Sequence, residues 1–126
     1  MDTFLVAING AWVMLTICVV FVFARYVIKE WHPYGRARIK AAIAILVHFI
    51  GEAGWHSLSW CLHIGLLTTA PPRAIYALFI ACGGVAAVGA LCCIRIFSPI
   101  AEGRVPWIIA LVLALVGAMV SFYFVA

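Results

Sequence analysis

The sequence predicts an all-α integral membrane protein, a four-helix bundle with short loops, and three observations carry that expectation. The 126-residue chain is 68% hydrophobic and 10% charged with a mean hydropathy of +1.24, far outside the range of soluble globular domains. It holds four predominantly apolar runs, 4–24, 39–67, 74–97 and 105–126, each long enough for the roughly 20 helical residues that cross a hydrocarbon core about 30 Å thick. The segments between the runs are short, so residues 1–126 read as a single transmembrane domain without a soluble module.

The first run follows Met1-Asp2-Thr3 rather than the positive charge that opens a cleaved signal peptide, and is expected to be a permanent span. Within it, Asn9 can hydrogen-bond to a neighbouring helix or reach the interface, and Thr16 can bond its own helix backbone. The loop that follows, "RYVIKEWHPYGRARIK", carries Arg25, Lys29, Arg36, Arg38 and Lys40, five of the eight basic residues. The second loop has only Arg73, and the third is framed by Arg95 and Arg104. Because short basic loops are retained in the cytoplasm, the first and third loops are expected inside and both termini outside, with the bacterial inner membrane as the expected location. The five basic residues of the first loop are expected at anionic lipid headgroups, about 1 kcal/mol each near the surface. Trp31, Tyr34, Trp107 and Tyr123 read as interfacial anchors. The net charge of +4 is thus a topology signal, and no nucleic-acid partner is expected.

The second run contains "HFIGEAGWHSLSWCLH", with one glutamate and three histidines where a bilayer is expected. At 100° per residue, with His48 at zero, Ser59 falls at about 20°, Glu52 at about 40°, His63 at about 60° and His56 at about 80°. All five share one stripe, and Ile43, Leu46, Ile50, Leu58 and Cys61 fall on a far side suited to lipid. Counting about 1.5 Å per residue from Lys40 puts Glu52 roughly 18 Å deep, near the middle, where an ionised acid costs roughly 3 kcal/mol on insertion scales. Three readings stand: a satisfied structural network, a polar lining that meets water in a pathway, and a metal or haem site. The last is constrained, because His48 and His56 are about 12 Å apart along the axis and no other span supplies a histidine.

In the third span Gly83, Ala87 and Ala90, and in the fourth Ala110, Ala114, Gly117 and Ser121, make stripes of small residues along one face. Helices in lipid associate by close backbone approach, so the stripes are expected at helix contacts, within one copy or between copies. Arg95 is expected to extend to the cytoplasmic interface. Cys18, Cys61, Cys82, Cys92 and Cys93 show no paired spacing and read as small buried hydrophobes. No phosphate loop, nucleophile elbow or HExxH is present; the chain is not expected to be an enzyme or to hold a metal or cofactor.

In chain length, four short-looped spans, a basic first loop and the lack of a soluble domain, the chain resembles a small phage holin over its whole length. The resemblance is one of layout, with no diagnostic motif, and carries no functional residue over. It implies an oligomeric pore or lesion in the inner membrane that releases or activates a lysin, with the lipid bilayer and further copies of the chain as partners. Two other functions fit the residues: a membrane anchor or accessory subunit of a larger complex, respiratory or haem-bearing, and a small proton-coupled transporter or channel.

Overall fold

The computed structural model describes residues 3–31, 37–96 and 101–125 and, in the last helix, the side chains of Arg104–Val120. These residues form four helices and no strand: α1 (Thr3–Lys29), α2 (Ala37–His63), α3 (Pro72–Ile96) and α4 (Ala101–Val125). The first three are long and apolar enough to cross a membrane, and α4 carries the apolar stretch Arg104–Val120. The chain is an integral membrane protein.

Helix ends follow local chemistry more closely than hydropathy. α1 continues past Ala24 to Lys29, because long basic side chains can leave the hydrocarbon while the backbone stays helical. The run expected to reach Leu67 ends as a helix at His63. Gly65 adopts a φ of +80°, the left-handed conformation that a side chain resists, and turns the chain. Its amide donates to the Leu62 carbonyl at 3.2 Å and the Leu66 amide donates to that of Cys61 at 3.0 Å. This double bond closes the open carbonyls of the last turn, and apolar composition gives no sign of it. Pro72 then opens α3 at a position where its missing N–H is not needed.

The helices pack in chain order, α1 on α2, α2 on α3 and α3 on α4, and the α1 and α4 backbones do not approach one another. The buried positions are mostly small: Ala42, Ala44 and Gly51 on α2, and Gly83, Ala86, Ala87, Gly89 and Ala90 on α3. Two glycines let α2 and α3 meet backbone to backbone. A Cβ on Gly51 would fall 2.6 Å from the Cys82 carbonyl oxygen, and one on Gly89 would lie 2.5 Å from the Cα of His48. Such contact is how helices associate in lipid, where apolar burial gives little drive. Large side chains such as Phe21, Leu113 and Met119 point outward.

α2 is therefore flanked on both sides, and this changes the fate of its far face. Of the five residues expected to meet lipid, only Ile50 is exposed, whereas Ile43, Leu46, Leu58 and Cys61 are half-buried. Helical periodicity assigns residues to faces but does not say how many neighbours a helix has.

Candidate functional site

Glu52 lies 15 residues from the start of α2 and 11 from its end, roughly 22 and 17 Å along the axis, so the site is deep in the membrane. The helix brings His48 and His56 to either side of it, one turn away each. His48 is 5% exposed, and its Nδ1–H donates to the Ala86 carbonyl of α3 at 2.9 Å. A carbonyl only accepts, so the proton of a neutral His48 is on Nδ1 and Nε2 is bare. That Nε2 is 3.9 Å from Glu52 Oε1, beyond hydrogen-bond reach. The ring also meets Trp107 of α4 edge-on, centroids 5.4 Å apart, so the indole expected at the interface reaches this layer.

His56 has the opposite problem, two partners for one nitrogen. Its Nε2 is 3.0 Å from Glu52 Oε2 and 2.6 Å from Trp12 Nε1 of α1. An indole N–H only donates, so a Trp12 bond requires a bare Nε2, while an ionised Glu52 requires a protonated one. Both bonds exist together only when the proton sits on Glu52 and the Nε2 lone pair is shared. Moving one proton onto His56 therefore exchanges an inter-helix bond to α1 for an ion pair within α2.

The cluster opens into a cleft. A cavity of about 340 Å³ is lined by Trp12, Glu52, Trp55 and His56 with small residues of α3 and α4, among them Gly83 and Gly117. A second, of about 370 Å³, continues along Thr16, His48, Phe49, Glu52 and Ala110. Both fill the gap left where α1 and α4 fail to meet, and both contain Glu52. On the lips of the gap, Trp12 is 47% exposed and Leu113 66%, so the cleft opens sideways. Trp55 forms an inner wall, its ring packed edge-on to Phe79 with centroids 4.7 Å apart. Gly83 and Gly117 make room for it: a Cβ at either would lie 3.4 and 2.9 Å from the Trp55 ring.

The five-residue stripe thus divides. His48, Glu52 and His56 form one cluster, whereas the exposed His63 donates from Nδ1 to the Ser59 carbonyl at 2.7 Å, at the end of α2. Of the small-residue stripes, Gly83, Ala87, Ala90 and Ala114 are buried and Ala110 and Gly117 half-buried; the Ser121 side chain lies outside the described residues. Arg25, Lys29, Arg38 and Lys40 are exposed, and Arg36 lies outside the described residues. Thr16 bonds its own helix, donating to the Val13 carbonyl at 2.9 Å.

Sequence reasoning did not single out Trp12 or Trp55, whose roles depend on helix order, nor Gly51 and Gly89. It also missed Trp60, whose buried Nε1–H has no partner among the described residues and faces Gly10 across the α1–α2 contact. Among the described residues no three histidine, cysteine or acidic side chains converge to hold a metal ion. Comparison with protein-family models, curated proteins and solved structures finds no match to this chain.

Proposed function

We propose that the protein is a small proton-coupled transporter or channel, non-enzymatic, that works through the cleft between α1 and α4. The observation that supports this is the position of His56 Nε2 between a donor-only indole and a carboxylate at the cleft wall. A structural network settles its hydrogen bonds in one arrangement; this one has two, selected by a single proton. Because Trp12 belongs to α1 and Glu52 and His56 to α2, proton uptake changes which helices are tied together. Protonation is thereby coupled to the width of a lateral opening. Intramembrane ionisable groups usually face a cavity or pathway, and Glu52 lines both cavities here. The orientation belongs to the same proposal: both termini outside the cytoplasm of a bacterial inner membrane, on the basic first loop.

The test is proton flux into vesicles loaded with a pH-sensitive dye and carrying the purified protein, with an imposed pH gradient. Wild type is expected to pass protons and Glu52→Gln, which keeps the amide's hydrogen bonds but cannot ionise, to lose most of the flux while retaining helicity and monodispersity. Flux no greater than in protein-free vesicles, both with and without an organic cation supplied for exchange, or equal flux from Glu52→Gln, would overturn the reading.

A second reading is the holin-like oligomeric pore. It is favoured by α1, whose backbone, among the described residues, approaches that of α2 and no other helix, which leaves its outer faces to lipid or to another copy. Induced expression in bacteria, with membrane potential and culture density followed, distinguishes it: abrupt collapse supports a lysis function, and harmless accumulation removes it.

A further inference from the structure

We propose that the cleft binds a lipophilic organic monocation, with Glu52 as its counter-ion and the indoles of Trp12 and Trp55 as its aromatic walls, in exchange for one proton. The inference rests on the proton-coupled reading above and names the substrate class of the same site.

Charge comes first. Among the described residues Glu52 is the one acidic side chain lining either cavity, and none of them brings a hydrogen-bond donor within reach of its Oε1 when His48 is neutral, since His48 Nδ1–H is committed to Ala86. An ionised carboxylate with a free oxygen in an apolar cleft calls for one positive charge. The titratable groups around it are few: His48 and His56 on its own helix, with no ionisable side chain among the described residues lining the cleft from α1, α3 or α4. Cys82 of α3 packs behind α2 against Gly54. Hence a proton shared with His48 or His56 and a bound cation are alternatives for neutralising the same acid. Binding the cation releases that proton to water, and the net charge of the site is unchanged.

The walls select the kind of cation. Indole faces attract a cation through the ring quadrupole, most strongly where water is excluded, and two indoles flank Glu52 in the first cavity. Beyond the Glu52 carboxylate and the imidazole nitrogens, the described lining offers π faces and apolar surface but few hydrogen-bond acceptors, which suits an alkylated ammonium, with few or no N–H groups to satisfy, better than a hydrated metal ion or a primary amine. The volume, about 340 Å³, is at the small end of sites for drug-sized ligands. Access points the same way: the opening lies between Trp12 and Leu113, far from either end of α2, so the ligand enters through acyl chains. A lipid headgroup is excluded by that depth.

The experiment titrates detergent-solubilised full-length protein with benzyltrimethylammonium by calorimetry, in two buffers of different ionisation enthalpy, alongside the uncharged isostere neopentylbenzene. We expect saturable binding of the cation alone, release of about one proton per cation, and affinity that falls as pH falls. Glu52→Gln is expected to lose at least ten-fold in affinity. Trp12→Leu, on the exposed lip, should lose about three- to thirty-fold, with Trp12→Phe recovering most of it. Equal binding of the isostere, no proton release, or wild-type affinity in Glu52→Gln would overturn the proposal. No binding by a protein that still shows Glu52-dependent proton flux sinks the cation and leaves the proton coupling; loss of both sinks the two together.

Discussion

The contact between α2 and α3 can be tested with a single methyl group. In Gly89→Ala, the new Cβ would lie 2.5 Å from the His48 Cα and 2.8 Å from its Cβ. Carbon atoms settle about 3.5–4.0 Å apart, so the two helices must part by about 1 Å at this level. Neither of these atoms is the end of a flexible side chain, so the backbone has to move. The bond from His48 Nδ1 to the Ala86 carbonyl, now 2.9 Å, spans this same crossing and would stretch beyond useful length. Overpacking of this kind costs about 1–3 kcal/mol, and an intramembrane hydrogen bond contributes about 0.6 kcal/mol more. Against this, alanine gains about 1 kcal/mol over glycine as a helix former. Gly84→Ala isolates that gain, because a Cβ at Gly84 meets nothing within 4 Å in the same helix. The difference between the two variants removes propensity from the comparison, and Gly89→Ala is expected to be about 1.5–3.5 kcal/mol less stable than Gly84→Ala. Reversible unfolding in mixed micelles, followed by circular dichroism, measures it. Variants within about 0.5 kcal/mol of each other would refute the backbone contact between α2 and α3.

Two further predictions concern the proton and the topology. The indole N–H resonance of Trp12, assigned by its loss in Trp12→Phe, is expected to move between a bonded and an unbonded position as pH falls and His56 Nε2 gains its proton; His56→Phe should hold it at the unbonded position throughout, and a wild-type resonance constant from pH 5 to 8 would refute the exchange of partners. Reporter fusions within the first loop and at Thr69 in the second are expected to be active on opposite sides of the membrane, the first in the cytoplasm, and a periplasmic reporter active in the first loop would reverse the orientation.

Much of this architecture is legible in the sequence because the solvent imposes it. Lipid demands long apolar helices, so hydropathy alone locates all four, and 3.6-residue periodicity gathers His48, Glu52 and His56 onto one face without any knowledge of neighbours. The same periodicity also placed Ser59 and His63 on that face, but angle says nothing of height: His63 lies at the helix end and satisfies itself on the Ser59 carbonyl. The end of α2 was hidden because it depends on the backbone conformation of Gly65, which an apolar run from Ile64 to Leu67 disguises. Least legible was the partner of each polar group. That Trp12 meets His56 across 44 residues depends on the order in which helices pack, and no local pattern encodes that order.

The packing order also explains why an ionisable group is tolerated at this depth. In a closed bundle α1 and α4 would touch, and the space beside Glu52 would fill with side chains; here the chain-order packing keeps the two apart and leaves the carboxylate beside a cleft. The cost is held down on α2 itself, where His56 supplies a partner 3.0 Å away. On the α3 side, Gly51 and Gly89 bring the backbones so close that the imidazole of His48 reaches a main-chain carbonyl and is held in one tautomer. One histidine is thereby fixed and the other left with a choice of partners. On the proposed reading that asymmetry is the basis of proton exchange, because a group whose hydrogen bonds are already settled gains nothing from a second protonation state, whereas His56 Nε2 lies within reach of both Trp12 of α1 and Glu52 of its own helix.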